Sequence, residues 1–144
     1  MRGLFPGSFD PFTLGHADIV RRALNLFDEV VIAVGYNENK AGWMPVEERV
    51  STIRRLYAEE PRVTVESYMG LTVDFAKKHG ITAIIRGVRT TADFEYEMQL
   101  ADVNRQLTGI ETILLPASPQ YASISSSIVR ELVHFHHDIS AFLP

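Results

Sequence analysis

Three groups of residues in this chain have types and spacing suited to chemistry on an anion. The first is Gly7-Ser8-Phe9-Asp10-Pro11-Phe12-Thr13-Leu14-Gly15-His16, a turn that runs straight into an amphipathic stretch. It places Gly15 and His16 in the first turn of a helix. Backbone N–H groups there are unpaired and carry partial positive charge, so they attract phosphate, and an imidazole adds a side-chain donor. The second group supplies cations: Lys40 in Asn37-Glu38-Asn39-Lys40, and Arg86 and Arg89 in Arg86-Gly87-Val88-Arg89. The third supplies hydroxyls, from Gly70-Leu71-Thr72, Tyr121 and Ser125-Ser126-Ser127. Guanidinium groups clamp phosphate bidentately, an ammonium acts as a point charge, and hydroxyls complete the shell. Together they form an inventory for a polyphosphate.

Taken singly, each group has an ordinary reading. Gly15-His16 caps a helix, Arg86 and Arg89 are solvated loop charges, and the serines cap the last helix. Their positions relative to the predicted elements argue otherwise. Leu4-Phe5 closes a short strand, and residues 29–35 form a second whose β-branched run marks burial on both faces. Residues 62–66, 82–85 and 112–115 give three more. Helical periodicity follows Gly15, and it returns after Pro45, read as a first helical residue, in Val46, Val50, Ile53 and Tyr57. It recurs over residues 71–79 (stopped by Gly80), 92–107, and from the serines to about Phe135.

Alternating strands and helices imply right-handed crossovers and a parallel sheet. The expectation is an α/β fold, a Rossmann-like doubly wound five-stranded parallel sheet in one domain, residues 1–144. Ligands of such sheets bind beyond the carboxyl ends of the strands. All three groups follow strands, so they converge on that edge.

Composition narrows the class. A net charge of −4 argues against nucleic-acid or anionic-membrane binding, and with no cysteine there is neither thiolate catalysis nor a disulfide. No apolar run has membrane-spanning length and no secretory leader precedes Pro6, so a cytoplasmic location is expected. Neither a Gly-x-x-x-x-Gly-Lys-Ser/Thr loop nor a Gly-x-Gly-x-x-Gly fingerprint occurs. His134, His136 and His137 have only Asp138 nearby as a carboxylate and read as surface residues.

Thr13-Leu14-Gly15-His16 resembles the Thr/His-x-Gly-His signature of the nucleotidyltransferase superfamily. Ile85-Arg86-Gly87-Val88-Arg89, Asp93-Phe94-Glu95-Tyr96-Glu97-Met98-Gln99 and Ile124-Ser125-Ser126-Ser127 resemble, in order and spacing, the bacterial phosphopantetheine adenylyltransferases. The resemblance implies transfer of the adenylyl group of ATP to 4′-phosphopantetheine, giving 3′-dephospho-CoA and pyrophosphate. It makes His16 a transition-state stabiliser and counts Lys40 and Arg86 with it as catalytic. It assigns Ser8, Lys40, Thr72 and Arg86 to the acceptor. To ATP it assigns Ser8, Phe9, His16, Gly87, Val88, Arg89, Glu97, Tyr121, Ala122, Ser123, Ile124, Ser125, Ser126 and Ser127. It also implies Mg²⁺, held mainly by phosphates and water rather than by protein ligands, and a homohexamer. Family members often have Trp at the position of Tyr121, and they usually continue into a further short helix beyond Pro144, which leaves assembly open.

The chemistry suits these residues. A phosphate nucleophile is ionised at neutral pH and needs no general base, so the task is positioning and electrostatic stabilisation. Other small nucleotidyltransferases share the first motif, and a non-catalytic nucleotide sensor on the same fold is the alternative of a different class. The helix carrying Glu97 adds two apolar stripes, Phe94, Met98 and Ala101 on one side and Tyr96, Leu100, Val103 and Leu107 on the other. One is expected against the sheet and the other against a second subunit.

Overall fold

The computed structural model describes residues 1–144. Strands β1 (Arg2–Gly7), β2 (Glu29–Gly35), β3 (Val63–Tyr68), β4 (Ala83–Val88) and β5 (Glu111–Pro116) form one sheet. Their order is β3-β2-β1-β4-β5, with every pair parallel. Helices α1 (Leu14–Ala23), α2 (Val46–Leu56), α3 (Thr72–Lys78) and α4 (Thr91–Thr108) make the crossovers, and α5 (Ser126–His134) follows β5. This is the doubly wound architecture expected from the sequence.

Period-two alternation along the strands builds two cores. Phe5, Ile32 and Ile85 face Ile19, Val20 and Ala23 of α1 and Val50 and Ile53 of α2. Their neighbours Leu4, Val31 and Ile84 point the other way, to Val73 and Ala76 of α3. Burial on both faces is why these strands read as continuous apolar runs rather than alternating ones.

The strand order reverses between β1 and β4, and there the sheet parts. β1 keeps a six-residue register with β2 but pairs with β4 only at Gly3–Ala83 and Leu4–Ile84. Pro6 has no N–H to continue the ladder. Its carbonyl instead accepts a 2.8 Å hydrogen bond from Nη1 of Arg86, a side chain of β4. The parted strands leave a crevice at the switch point, where ligands of open α/β sheets bind.

Several boundaries differ from expectation. β4 runs on through Val88, so Arg86 and Gly87 lie within the strand rather than after it. Pro45 is the N-cap of α2, not its first helical residue. The stripes of α4 also differ. Phe94, Tyr96, Met98, Val103 and Leu107 are all exposed, and the one buried residue of the helix is Glu97. Neither stripe is buried against the sheet in the single chain, because the helix turns a charged residue inward.

Close packing at the base of β1 depends on a missing side chain. A Cβ on Gly3 would lie 2.6 Å from Cδ1 of Ile85 and 3.0 Å from the Phe27 ring. Gly3→Ala should therefore cost about 1–3 kcal/mol, the scale of core overpacking. Urea denaturation would show it as a lower midpoint with unchanged slope. A midpoint equal to that of the parent chain would contradict this packing.

Candidate active site

The crevice between β1 and β4 opens into a cavity of about 450 Å³. Ser8, Phe9, His16, Arg86, Gly87, Val88, Arg89, Glu97, Tyr121, Ile124, Ser125, Ser126 and Ser127 all line it. An adjoining cavity of about 250 Å³ is lined by Thr72 with Leu71, Val73, Leu100, Val103, Asn104 and Leu107. Pro6, Arg86, Tyr96 and Glu97 line both and form the wall between them. Lys40, Ala122 and Ser123 line neither. Lys40 is exposed on a turn closed by its own N–H to the Asn37 carbonyl at 3.1 Å.

His16 is held by the start of its own helix. Thr13 is the N-cap of α1, and its hydroxyl accepts the His16 backbone N–H at 3.4 Å. The Thr13 backbone N–H in turn donates to Nδ1 of His16 at 2.9 Å. With Nδ1 accepting, the proton of the neutral ring sits on Nε2. Phe9 and Phe12 lie against the imidazole, with ring centroids 5.0 and 5.3 Å away. Burial, followed by the charges of Arg86 and Arg89, lowers the His16 pKa from 6.5 to about 4. At neutral pH the ring is uncharged and its outward group is a single N–H donor.

Arg86 is fixed by three bonds. Nε and Nη2 donate to the two oxygens of Glu97 at 2.9 and 2.8 Å, and Nη1 donates to Pro6. Of the five guanidinium N–H groups this leaves two, one on each terminal nitrogen. Glu97, expected from the resemblance as an ATP contact, is buried with both oxygens committed to Arg86. Arg89 is tethered more loosely, its Nε 3.7 Å from Asp93.

Phe9 also differs from an ordinary ligand contact. Its side chain is 3% exposed, and its backbone takes the left-handed region at φ 48°. The chain turns sharply there to bury the ring beneath His16, so Phe9 offers a ligand mainly its backbone.

The far wall is bolted to the first turn and to α1 by Ser126, which the sequence singled out, and by Asp18, Arg22 and Arg130, which it did not. Buried Asp18 of α1 accepts the Ser118 hydroxyl at 2.7 Å, and Arg22 donates to the Pro116 carbonyl at 2.7 Å. Burial pushes the Asp18 carboxyl up, but bonds from Ser118 and Arg21 and the charges of Arg21 and Arg22 outweigh it and hold it low. Ser126 donates to the Pro11 carbonyl at 2.8 Å, while Ser125 caps α5 through the Ile128 N–H. Arg130 lines the cavity too, donating to the Asp10 carbonyl and the Ser127 hydroxyl at 2.7 and 3.2 Å. A signal for it existed: it stands three residues after Ser127, on the same helix face.

A pH dependence of stability follows from the neutral imidazole. The unfolded chain takes up a proton at His16 near pH 6.5, whereas the folded chain resists it until about pH 4. The His16 contribution is therefore complete above pH 6.5 and is lost as pH falls from there towards 4. His16→Asn removes this titration while keeping an acceptor for Thr13. Between pH 7 and 4.5 the parent chain should lose more stability than the variant in urea titrations. Parallel losses would mean that His16 titrates normally.

Comparison with known proteins agrees with this geometry. A family model described as cytidylyltransferase-like matches residues 4–132. The chain is 56% identical over 143 residues to a phosphopantetheine adenylyltransferase of Phocaeicola vulgatus, covering 99% of this chain and 95% of that protein. Identity to the Porphyromonas gingivalis protein of the same name is 54% over 141 residues, covering 98% and 92%. For the Streptomyces coelicolor one it is 47% over 143 residues, covering 99% and 90%. Among solved structures, the lipopolysaccharide core biosynthesis protein of Thermoplasma volcanium matches with a TM-score of 0.58 and 22% identity. That match covers 82% of this chain and 96% of the other, and it speaks for the fold alone. With nearly full-length identity of this order on both sides, the chain belongs to the phosphopantetheine adenylyltransferase family of nucleotidyltransferases.

Proposed function

We infer that this chain transfers the adenylyl group of ATP to 4′-phosphopantetheine, releasing pyrophosphate and 3′-dephospho-CoA, a step of coenzyme A biosynthesis. The observation that carries this reading is the two-part crevice. A polar cavity beneath helix N-termini adjoins a more apolar one, and Arg86 stands in the wall between them. The larger part suits a nucleoside triphosphate. The smaller, with Leu71, Val73, Leu100, Val103 and Leu107 around Thr72 and Asn104, suits an alkyl-amide arm.

In this reading an acceptor phosphate oxygen attacks the α-phosphorus in line, and the bond to the pyrophosphate oxygen breaks. The nucleophile is already ionised, so no side chain takes a proton. The Nε2–H of neutral His16 donates to an α-phosphate oxygen as charge grows there, and it loses no proton in doing so. The two free N–H groups of Arg86 and the ammonium of Lys40 receive the acceptor phosphate, next to Ser8. Arg89, Arg130 and the α5 amides face the β- and γ-phosphates.

Mg²⁺ would neutralise the polyphosphate. Asp93 and Glu97, the carboxylates lining the larger cavity, are each paired with an arginine, Arg89 and Arg86. The ion is accordingly assigned to phosphate oxygens and water. No helix is long and apolar enough to cross a membrane. We further propose a cytoplasmic homohexamer: the exposed apolar residues of α4 support association between copies, while the number six and the location rest on the family resemblance.

Pyrophosphate release tests the function directly. Turnover is expected with ATP, Mg²⁺ and 4′-phosphopantetheine, but not with CTP and glycerol 3-phosphate or ATP and nicotinamide mononucleotide. Turnover with either alternative pair in its place would overturn the substrate assignment. His16→Ala should lower kcat by about 10²-fold or more, the scale for one transition-state donor, while KM values change much less. A raised KM with unchanged kcat would make His16 a binding residue only.

A further inference from the structure

Two buried charges lie just outside the cavity and do nothing in the chemistry described above. Arg49 of α2 and Asp10 are each 6% exposed. Burying a charge is costly unless its hydrogen bonds are met, so the bonds they make show what they are for. Arg49 has no carboxylate partner. It donates to three carbonyls from three segments: Ser8 at 2.7 Å, Gly35 at 3.3 Å and Met44 at 3.0 Å. Asp10 accepts the backbone N–H groups of Trp43 at 2.7 Å and Met44 at 2.9 Å.

Both therefore grip the same short stretch, the root of the loop that carries Lys40. Asp10 takes its amides from one side and Arg49 takes its carbonyl from the other. Asp10 belongs to the turn bearing Ser8, and Arg49 also binds the Ser8 carbonyl, so the grip ties that root to the Ser8 turn. Gly42 lies between them. A Cβ there would sit 2.6 Å from Oδ2 of Asp10 and 3.3 Å from Nη2 of Arg49. The Met44 carbonyl that Arg49 binds would lie 3.2 Å away, and the Gly42 φ is outside the left-handed region, so a side chain is excluded by the space the grip fills and not by backbone conformation.

We propose that Arg49 and Asp10 are positioning residues that hold the Lys40 loop against the Ser8 turn, fixing where the Lys40 ammonium meets the acceptor phosphate. The inference rests on the proposed function for the identity of that phosphate. It accounts for a feature left open by the cavity itself: Lys40 lines neither part of it, so its reach depends on where the loop is rooted.

The test uses Gly42→Ala, which pushes on the grip without deleting a buried charge, and Arg49→Lys, which keeps the charge but cannot bond three carbonyls. Each is compared with the parent chain and with Lys40→Ala by steady-state kinetics and thermal unfolding. Both variants should raise KM for 4′-phosphopantetheine on the order of tenfold while KM for ATP stays within about twofold, the scale of a misplaced contact. On a Lys40→Ala background, Gly42→Ala should add little further loss, because the two act through one group. Additive losses, or equal rises in both KM values, would overturn the proposal. So would a lower Tm with acceptor KM unchanged, since that is what a merely structural role produces. If the parent chain itself turns over with a different acceptor, the substrate reading fails, and the same comparison of KM values made with that acceptor judges the grip.

Discussion

The bidentate pair between Arg86 and Glu97 is the interaction on which the site depends. It joins β4 to α4, and through the Pro6 carbonyl it bridges the gap where β1 and β4 part. A guanidinium in a crevice of this kind would otherwise be free to swing or to recruit an adventitious anion. Pairing it with a buried carboxylate fixes its direction and leaves two donors for a ligand. The pair belongs to the wall shared by the two cavities, so the Arg86 guanidinium borders both compartments.

That wall also bears on the state of the imidazole across the crevice, second to burial. Burial among phenyl rings makes protonation of His16 costly, and the cations Arg86 and Arg89 add to the cost. The Thr13 amide then chooses the tautomer. A donor that stays neutral among cations neither repels them nor releases a proton as charge builds on phosphate. Placement, rather than acid–base exchange, is what this arrangement provides.

Much of this was legible in the sequence, for physical reasons. β-branched runs bounded by turn residues reveal buried parallel strands, and the rule that ligands gather at strand ends picks out Ser8, His16, Arg86, Arg89 and the serines without coordinates. What escaped was long-range pairing. Glu97 lines the cavity, but its pairing with Arg86, eleven residues away, was not legible. The partners of Asp10, Asp18 and Arg49 escaped too, because nothing local in a sequence tells which distant groups will be left needing partners. The extension of β4 through Arg86 and Gly87 escaped for the same reason, since Gly is a poor strand former and the pairing that holds both in the strand is made with β5 alongside. Lys40 is the converse case. The family resemblance assigns it to the acceptor, but its place relative to the crevice is decided by the root of its loop.

The chemistry of the crevice turns on His16 being a neutral Nε2–H donor among cations. Long-range ¹H–¹⁵N spectra of the imidazole rings, followed as a function of pH in the unliganded protein, report both tautomer and charge. Signals assigned to His16 should keep the Nε2–H pattern from pH 8 down to pH 5 and begin to titrate only towards pH 4. A midpoint near 6.5, or an Nδ1–H pattern at neutral pH, would contradict it.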